Sequence, residues 1–143
     1  MSEEFIEQLN KSRWHSLKTL DFNIIPTSSG VYQIRWAIGE KPQSIPRANG
    51  KDKKGILYIG ESSNLRERIE NFWLRIESKG SHTAGRTYNY YEFRKKFRPE
   101  QLQVQWLELC QSEIGELETA LLEKYVAKYL DRPLLNIIIP RGY

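Results

Sequence analysis

The chain has 143 residues, 39% of them apolar and 28% charged. That suits one globular domain able to bury a core without disulfides or a structural metal. A lone cysteine, Cys110, argues against disulfides and thiolate metal sites, makes a reducing cytoplasm the default, and reads as a small buried apolar residue; no apolar run reaches the ~18 residues of a membrane span. The formal net charge of +4 is segregated. Residues 86–98 carry five basic groups and one acid, residues 40–54 five basic groups and two acids, and residues 108–123 five glutamates and no base. Such segregation points to a polyanion partner, nucleic acid first, with solubilising surface charge as the plain alternative.

The start, MSEEFIEQLN, is acidic and lacks the apolar core of a signal peptide. Residues 3–20 read as a helix with Phe5, Ile6, Leu9, Leu17 and Leu20 as a partial apolar stripe. IPTSSG is a turn, and VYQIRWAI, residues 31–38, is a strand rich in aromatic and β-branched residues. Residues 39–55 hold two prolines and three glycines and read as a long hairpin loop. ILYIG, residues 56–60, is the returning strand, expected to pair antiparallel with the first. Asn64, with Glu67 three residues on, starts a helix whose apolar face is Leu65, Ile69, Phe72 and Ile76. Gly80 and Gly85 bracket a loop, and residues 87–97 suggest a short helix with Tyr90, Phe93 and Phe97 inward. LQVQWLEL, residues 102–109, alternates as a strand; residues 112–130 form a long helix that Pro133 cannot continue; residues 134–139 close as a short strand or extended tail. The fold expected is a small α/β (α+β) domain, a mostly antiparallel sheet flanked by helices. Residues 1–27 form an N-terminal helical extension and residues 28–143 the domain itself.

Within this frame, SGVYQIRW followed by LYIGESSNLRERI resembles the GIY-YIG nuclease superfamily. Its ordered elements are a GIY strand, a YIG strand, an arginine on the next helix, a glutamate on a later helix and a closing asparagine. They correspond here to Gly30-Val31-Tyr32, Tyr58-Ile59-Gly60, Arg68, Glu123 and Asn136. The run ETALLEKYVAKYLDRPLLN resembles the family's glutamate helix, basic-proline turn and asparagine. Two departures stand out: a longer loop between the tyrosine strands, and Phe72 where a histidine often stands, four residues after the arginine.

The resemblance implies a metal-dependent endonuclease with one divalent ion, Mg²⁺ or Mn²⁺, held by Glu123. Magnesium takes hard oxygen donors and keeps most of its waters, so one carboxylate suffices. Arg68 would grip the phosphate in two-pronged fashion. Tyr32 would accept the proton of the attacking water, a phenol that needs nearby cations to ionise. Tyr58 would orient water or phosphate, and Asn136 would hold Glu123 or the tail. On spacing alone Arg66 competes with Arg68, and Glu116 with Glu123. His15 and His82 read as bystanders, although His82 could approach the phosphate from its glycine-bracketed loop. Arg66, Arg86, Arg94, Lys95 and Lys96 are the expected nucleic-acid contacts. The expected partner is DNA in duplex form, in the cytoplasm or on a bacterial nucleoid. Specificity would come from the 39–55 loop, the N-terminal helix, residues 86–98, a second copy or a partner protein. DNA against RNA stays open, as does a non-catalytic nucleic-acid-binding module on the same fold.

Overall fold

The run GVYQIRWAI, Gly30–Ile38, forms the middle strand of the sheet, because its β-branched and aromatic side chains can bury on both faces. The computed structural model describes residues 2–77 and 82–137. Its elements are α1 (Ser2–Lys11), β1 (His15–Ser16), β2 (Gly30–Ile38), β3 (Lys41–Pro42), β4 (Ile45–Pro46), β5 (Lys51–Asp52), β6 (Ile56–Ser62), α2 (Leu65–Ile76), α3 (Thr83–Tyr90), β7 (Leu102–Glu108) and α4 (Gln111–Tyr129). Short 3₁₀ turns lie at Phe22–Ile24, Phe93–Lys95, Pro99–Gln101 and Leu134–Asn136. β2 pairs antiparallel with β6 on one side and β7 on the other, and β1 adds to the far edge of β7. The architecture is the small mixed α/β fold expected; of the tyrosine hairpin, β2 is central and β6 lies at the edge of the sheet.

The two sheet faces carry separate cores. In front, Tyr32, Ile34 and Leu57 pack against Leu65, Ile69, Phe72 and Ile76 of α2 and Ala84 and Tyr88 of α3. Behind, Val31, Ile56 and Ile59 pack against Ile114, Leu117, Leu121 and Tyr125 of α4 and Leu9 of α1. The period-2 alternation of β2 assigns its side chains to the two layers. On β6 the register jumps from Ile34–Tyr58 to Arg35–Ile56, a bulge at Leu57. The regular ladder already places Tyr58 on the face of Tyr32, and the bulge turns Leu57 into the same front layer.

Several local expectations are corrected. The first helix stops at Lys11 rather than at residue 20, because His15 and Ser16 pair with Val104 and Gln103. Ladder pairing outweighs the helical stripe, and Leu17 is buried from the turn that follows β1. The N-terminal segment is thereby built into the sheet, and the buried Gln105 amide donates to Leu9 O and Ser12 O. The 39–55 segment is not a free loop. It carries the β4–β5 ribbon and docks on the end of α4, where Asn49 donates to Tyr129 O and Lys128 O, and Arg47 to Arg132 O. The Asn49 donors satisfy carbonyls that a helix C-terminus leaves open. Asp52, 1% exposed, fixes the ribbon by accepting from Lys54 N, Ile56 N and the Tyr125 hydroxyl.

The helix expected at 87–97 is instead α3, which begins at Thr83 and includes Gly85, followed by a 3₁₀ turn. Glu92, with φ 54°, breaks the two apart. Tyr88 rather than Tyr90 points inward, and Tyr90 is exposed. Leu134–Asn136 forms a 3₁₀ turn rather than a strand. Residues 138 and 139 of the expected tail, and Gly80, lie outside the described residues. Cys110 is exposed at the start of α4, not buried. Among the described residues no helix is long and apolar enough to cross a membrane.

Candidate active site

The pairing of β2 with β6 sets Tyr32 opposite Gly60 and Tyr58 opposite Ile34, so both phenols rise from one face with ring centroids 5.8 Å apart. The motif glycines are steric requirements. A Cβ on Gly60 would lie 2.5 Å from the Tyr58 ring and 2.9 Å from that of Tyr32. A Cβ on Gly30 would collide with Leu107 O and the Leu65 side chain. The rings therefore settle over a bare backbone that no larger residue provides.

Arg68 reaches this pair from α2, whose first turn is capped by the Asn64 side chain accepting from Glu67 N at 3.1 Å. Its guanidinium interacts with both tyrosine hydroxyls. Burial pushes the Tyr32 hydroxyl well above its usual pKa and Tyr58 opposes its ionisation too, while Arg68 works in the other direction. Tyr58 is also raised, by burial first, with Arg68 countering and Glu118 adding to the rise. Tyr32 is 0% exposed, whereas Tyr58 keeps part of its surface in solvent.

His82, taken as a bystander, belongs to this cluster. It caps α3, its Nδ1 accepting from Ala84 N at 3.0 Å and Gly85 N at 3.4 Å. A ring nitrogen that accepts carries no proton, so the neutral imidazole bears its hydrogen on Nε2. That nitrogen lies 2.7 Å from the Tyr32 hydroxyl and donates to it. The Tyr32 hydroxyl also interacts with that of Tyr58. Burial, with Arg68 next, lowers His82 to about 3, so the ring stays neutral across physiological pH. Phe72 packs edge-on against the imidazole at 5.3 Å. The sequence signal for His82 was its place immediately before a helix, where a polar side chain caps.

The carboxylate whose charge reaches Tyr58 is that of Glu118, half-buried on the flank of α4. Its pKa is raised by burial and then by Glu61, whose backbone N–H donates to it from the edge of β6. Glu123, the residue expected from the motif, is exposed and lies about 140° further round the helix at ~100° per residue. It lines a cavity of about 570 Å³ with Leu122, Val126, Arg132 and Asn136 instead. Glu116 is exposed and accepts from the Ser2 hydroxyl. Asn136 does not hold Glu123. Its amide pairs with the backbone of Ile59, accepting from N at 3.1 Å and donating to O at 2.9 Å. It completes the edge of β6 next to Tyr58 as an added strand residue would.

Of the expected nucleic-acid contacts, two bond within the chain, the half-buried Arg66 and the exposed Arg94. Arg66 donates to Ile25 O and Asn23 O, clamping the turn before β2 to α2. Arg94 donates to Ile76 O and to Asn89 Oδ1 at 3.0 Å, and lies over the Tyr88 ring. Arg86, Lys95 and Lys96 are exposed. His15 stacks at 4.8 Å on Trp106, the β7 residue opposite Tyr32.

Among the described residues no group of three or more histidine, cysteine, aspartate or glutamate side chains is placed to hold a metal ion. The Glu61–Glu118 pair nevertheless fits a hard divalent cation. Glu61, whose charge raises the pKa of Glu118, and Glu118 itself are hard oxygen donors of the kind magnesium takes, which uses one or two carboxylates and keeps its waters. Neither a scan against models of known protein families nor a search of the curated proteins finds a match for this chain.

Proposed function

We propose that the chain is a metal-dependent endonuclease of the GIY-YIG type that hydrolyses phosphodiester bonds of DNA, acting in the cytoplasm. The observation that carries this reading is the convergence of Tyr32, Tyr58 and Arg68, distant in sequence, on one cluster flanked by Glu118. Glu118, with Glu61 beside it, would hold the divalent ion, in place of Glu123. When bound, such an ion relieves charge on the phosphoryl oxygens and favours ionised water.

The chain's own groups divide the remaining work. Arg68 binds the phosphate and stabilises phenolate in the same region. Tyr58 takes the proton of the attacking water, because it reaches solvent and Tyr32 does not. Tyr32 supports it from behind, its hydroxyl interacting with that of Tyr58 while His82 donates to Tyr32. This reverses the roles the motif suggests for the two tyrosines. Asn136 holds the strand that carries Tyr58.

The complete burial of Tyr32 favours a second reading, a nucleic-acid-binding module with little catalysis. Incubation with supercoiled plasmid separates the two. Nicking with Mg²⁺ or Mn²⁺ that a chelator abolishes supports the nuclease; salt-sensitive binding without nicking supports the module. Neither nicking nor binding overturns both.

A further inference from the structure

We propose that the cavity beside Trp36 receives an unpaired nucleobase of the nucleic acid that the Tyr58 site engages. The inference rests on the nucleic-acid reading above and names a second contact on the same strand. The cavity, of about 330 Å³, lies between the far end of β2, the β4 wall at Ile45 and Pro46, and the turn Phe93–Lys95. That is within the size range of small-molecule sites.

Its lining suits a base. Trp36 and Phe93, both half-buried, present aromatic surface to the cavity, and the buried Phe97 meets them edge-on at 4.9 and 5.9 Å. Such surfaces stack any base, because every base has a π-face. Lys96 Nζ lies 6.0 Å from the Trp36 ring, and Lys95 Nζ at the rim pairs with Glu92 at 3.3 Å. That ion pair is exposed and easily exchanged for a phosphate. Charge at the mouth and aromatic surface within are the complement of one nucleotide. A base in intact duplex is already stacked and paired, so the entrant is an unpaired one.

The walls are fixed in advance. Trp36 Nε1 donates to Gln101 Oε1 at 2.9 Å. Arg47, its side chain 9% exposed, pairs with Asp131 and donates to Arg132 O, pinning the β4 wall to the end of α4. Trp36 also shares a strand face with Tyr32. Four residues at ~3.3 Å separate them by about 13 Å. That is about four base steps at ~3.4 Å each, a span that one bound strand covers.

Fluorescence anisotropy tests this with a perfect duplex and the same duplex carrying one unpaired purine. The parent should prefer the unpaired purine roughly tenfold, the scale of one stacked base. Phe93→Ala should erase that preference and Phe93→Tyr retain it, with perfect-duplex affinity unchanged and both variants folded at the assay temperature by melting. With 2-aminopurine at the unpaired position, fluorescence should be quenched by the parent and not by Phe93→Ala. Equal binding of both duplexes by the parent overturns this inference and leaves the nuclease reading standing. Binding of neither overturns both. A proline-rich peptide bound by the parent and lost in Phe93→Ala, without any preference for the unpaired purine, would assign the cavity to a protein partner and overturn the proposal.

Discussion

His82 donates from Nε2 to the hydroxyl of Tyr32 at 2.7 Å while its Nδ1 caps α3. One neutral ring thereby ties the start of a helix to the innermost tyrosine. Burial lowers its pKa from 6.5 to about 3. The unfolded chain therefore binds more protons than the folded one between those values, and stability rises with pH there. The contribution is whole above about 6.5 and is lost as pH falls toward 3. His82→Asn keeps a capping side chain without a titrating ring. Between pH 7 and 4.5 the parent should lose up to about 3 kcal/mol more than the variant. Denaturant melts at both pH values check this, and parallel losses would show that the ring is not held neutral.

Glu118→Gln should abolish nicking with fold and most DNA affinity intact, while Glu123→Gln and Glu116→Gln stay active. Glu118 is the glutamate whose charge reaches Tyr58. Loss of its charge should exceed the ~10²-fold cost of one lost stabilising donor. Plasmid nicking at saturating Mg²⁺, with thermal melting alongside, decides. A dead Glu123→Gln beside an active Glu118→Gln would restore the motif assignment.

Tyr58→Phe should lower cleavage more than Tyr32→Phe. Removing a general base costs about 10²–10⁴-fold. Removing Tyr32's hydroxyl takes away a supporting contact, with a smaller loss in rate. Single-turnover rates for both variants are the measure, and the opposite order would return the base role to Tyr32.

Gly60→Ala should cost both stability and cleavage. The added methyl would sit 2.5 Å from the Tyr58 ring and 2.9 Å from the Tyr32 ring, so both must shift. Overpacking of this kind costs about 1–3 kcal/mol. Melting and nicking should fall together; an unchanged variant would mean that the rings do not pack over residue 60.

Arg66→Ala should destabilise the fold by about 1–3 kcal/mol, because it strips charged partners from two backbone carbonyls. The salt slope of DNA binding should stay unchanged, since Arg66 is committed internally. Lys95→Ala with Lys96→Ala should flatten that slope without lowering the melting temperature. A salt slope altered by Arg66→Ala would place that arginine on the phosphates after all.

Local chemistry in the sequence determined a good deal of this protein. The β-branched and aromatic runs placed β2, β6 and β7. Asn64 placed the start of α2, whose Leu65, Ile69, Phe72 and Ile76 all became core. The pairing of Tyr32 and Tyr58 across adjacent strands followed from the hairpin, and Arg68 followed from its place one turn into the next helix. What only the tertiary structure decided were choices between residues of equal local merit. Glu116, Glu118 and Glu123 share one helix, and the docking of α4 on the back of the sheet brings Glu118 to the β6 edge. Arg66 and Arg68 sit two residues apart, and the packing of the Phe22–Ile24 turn claims the first for backbone carbonyls. His82 is fifty positions from Tyr32 in sequence, and their contact arises because α3 packs on α2. A β-strand pairing set residues 15–16 against a helical pattern, and the ladder prevailed. Contacts across such separations depend on how elements dock, and no local pattern encodes that.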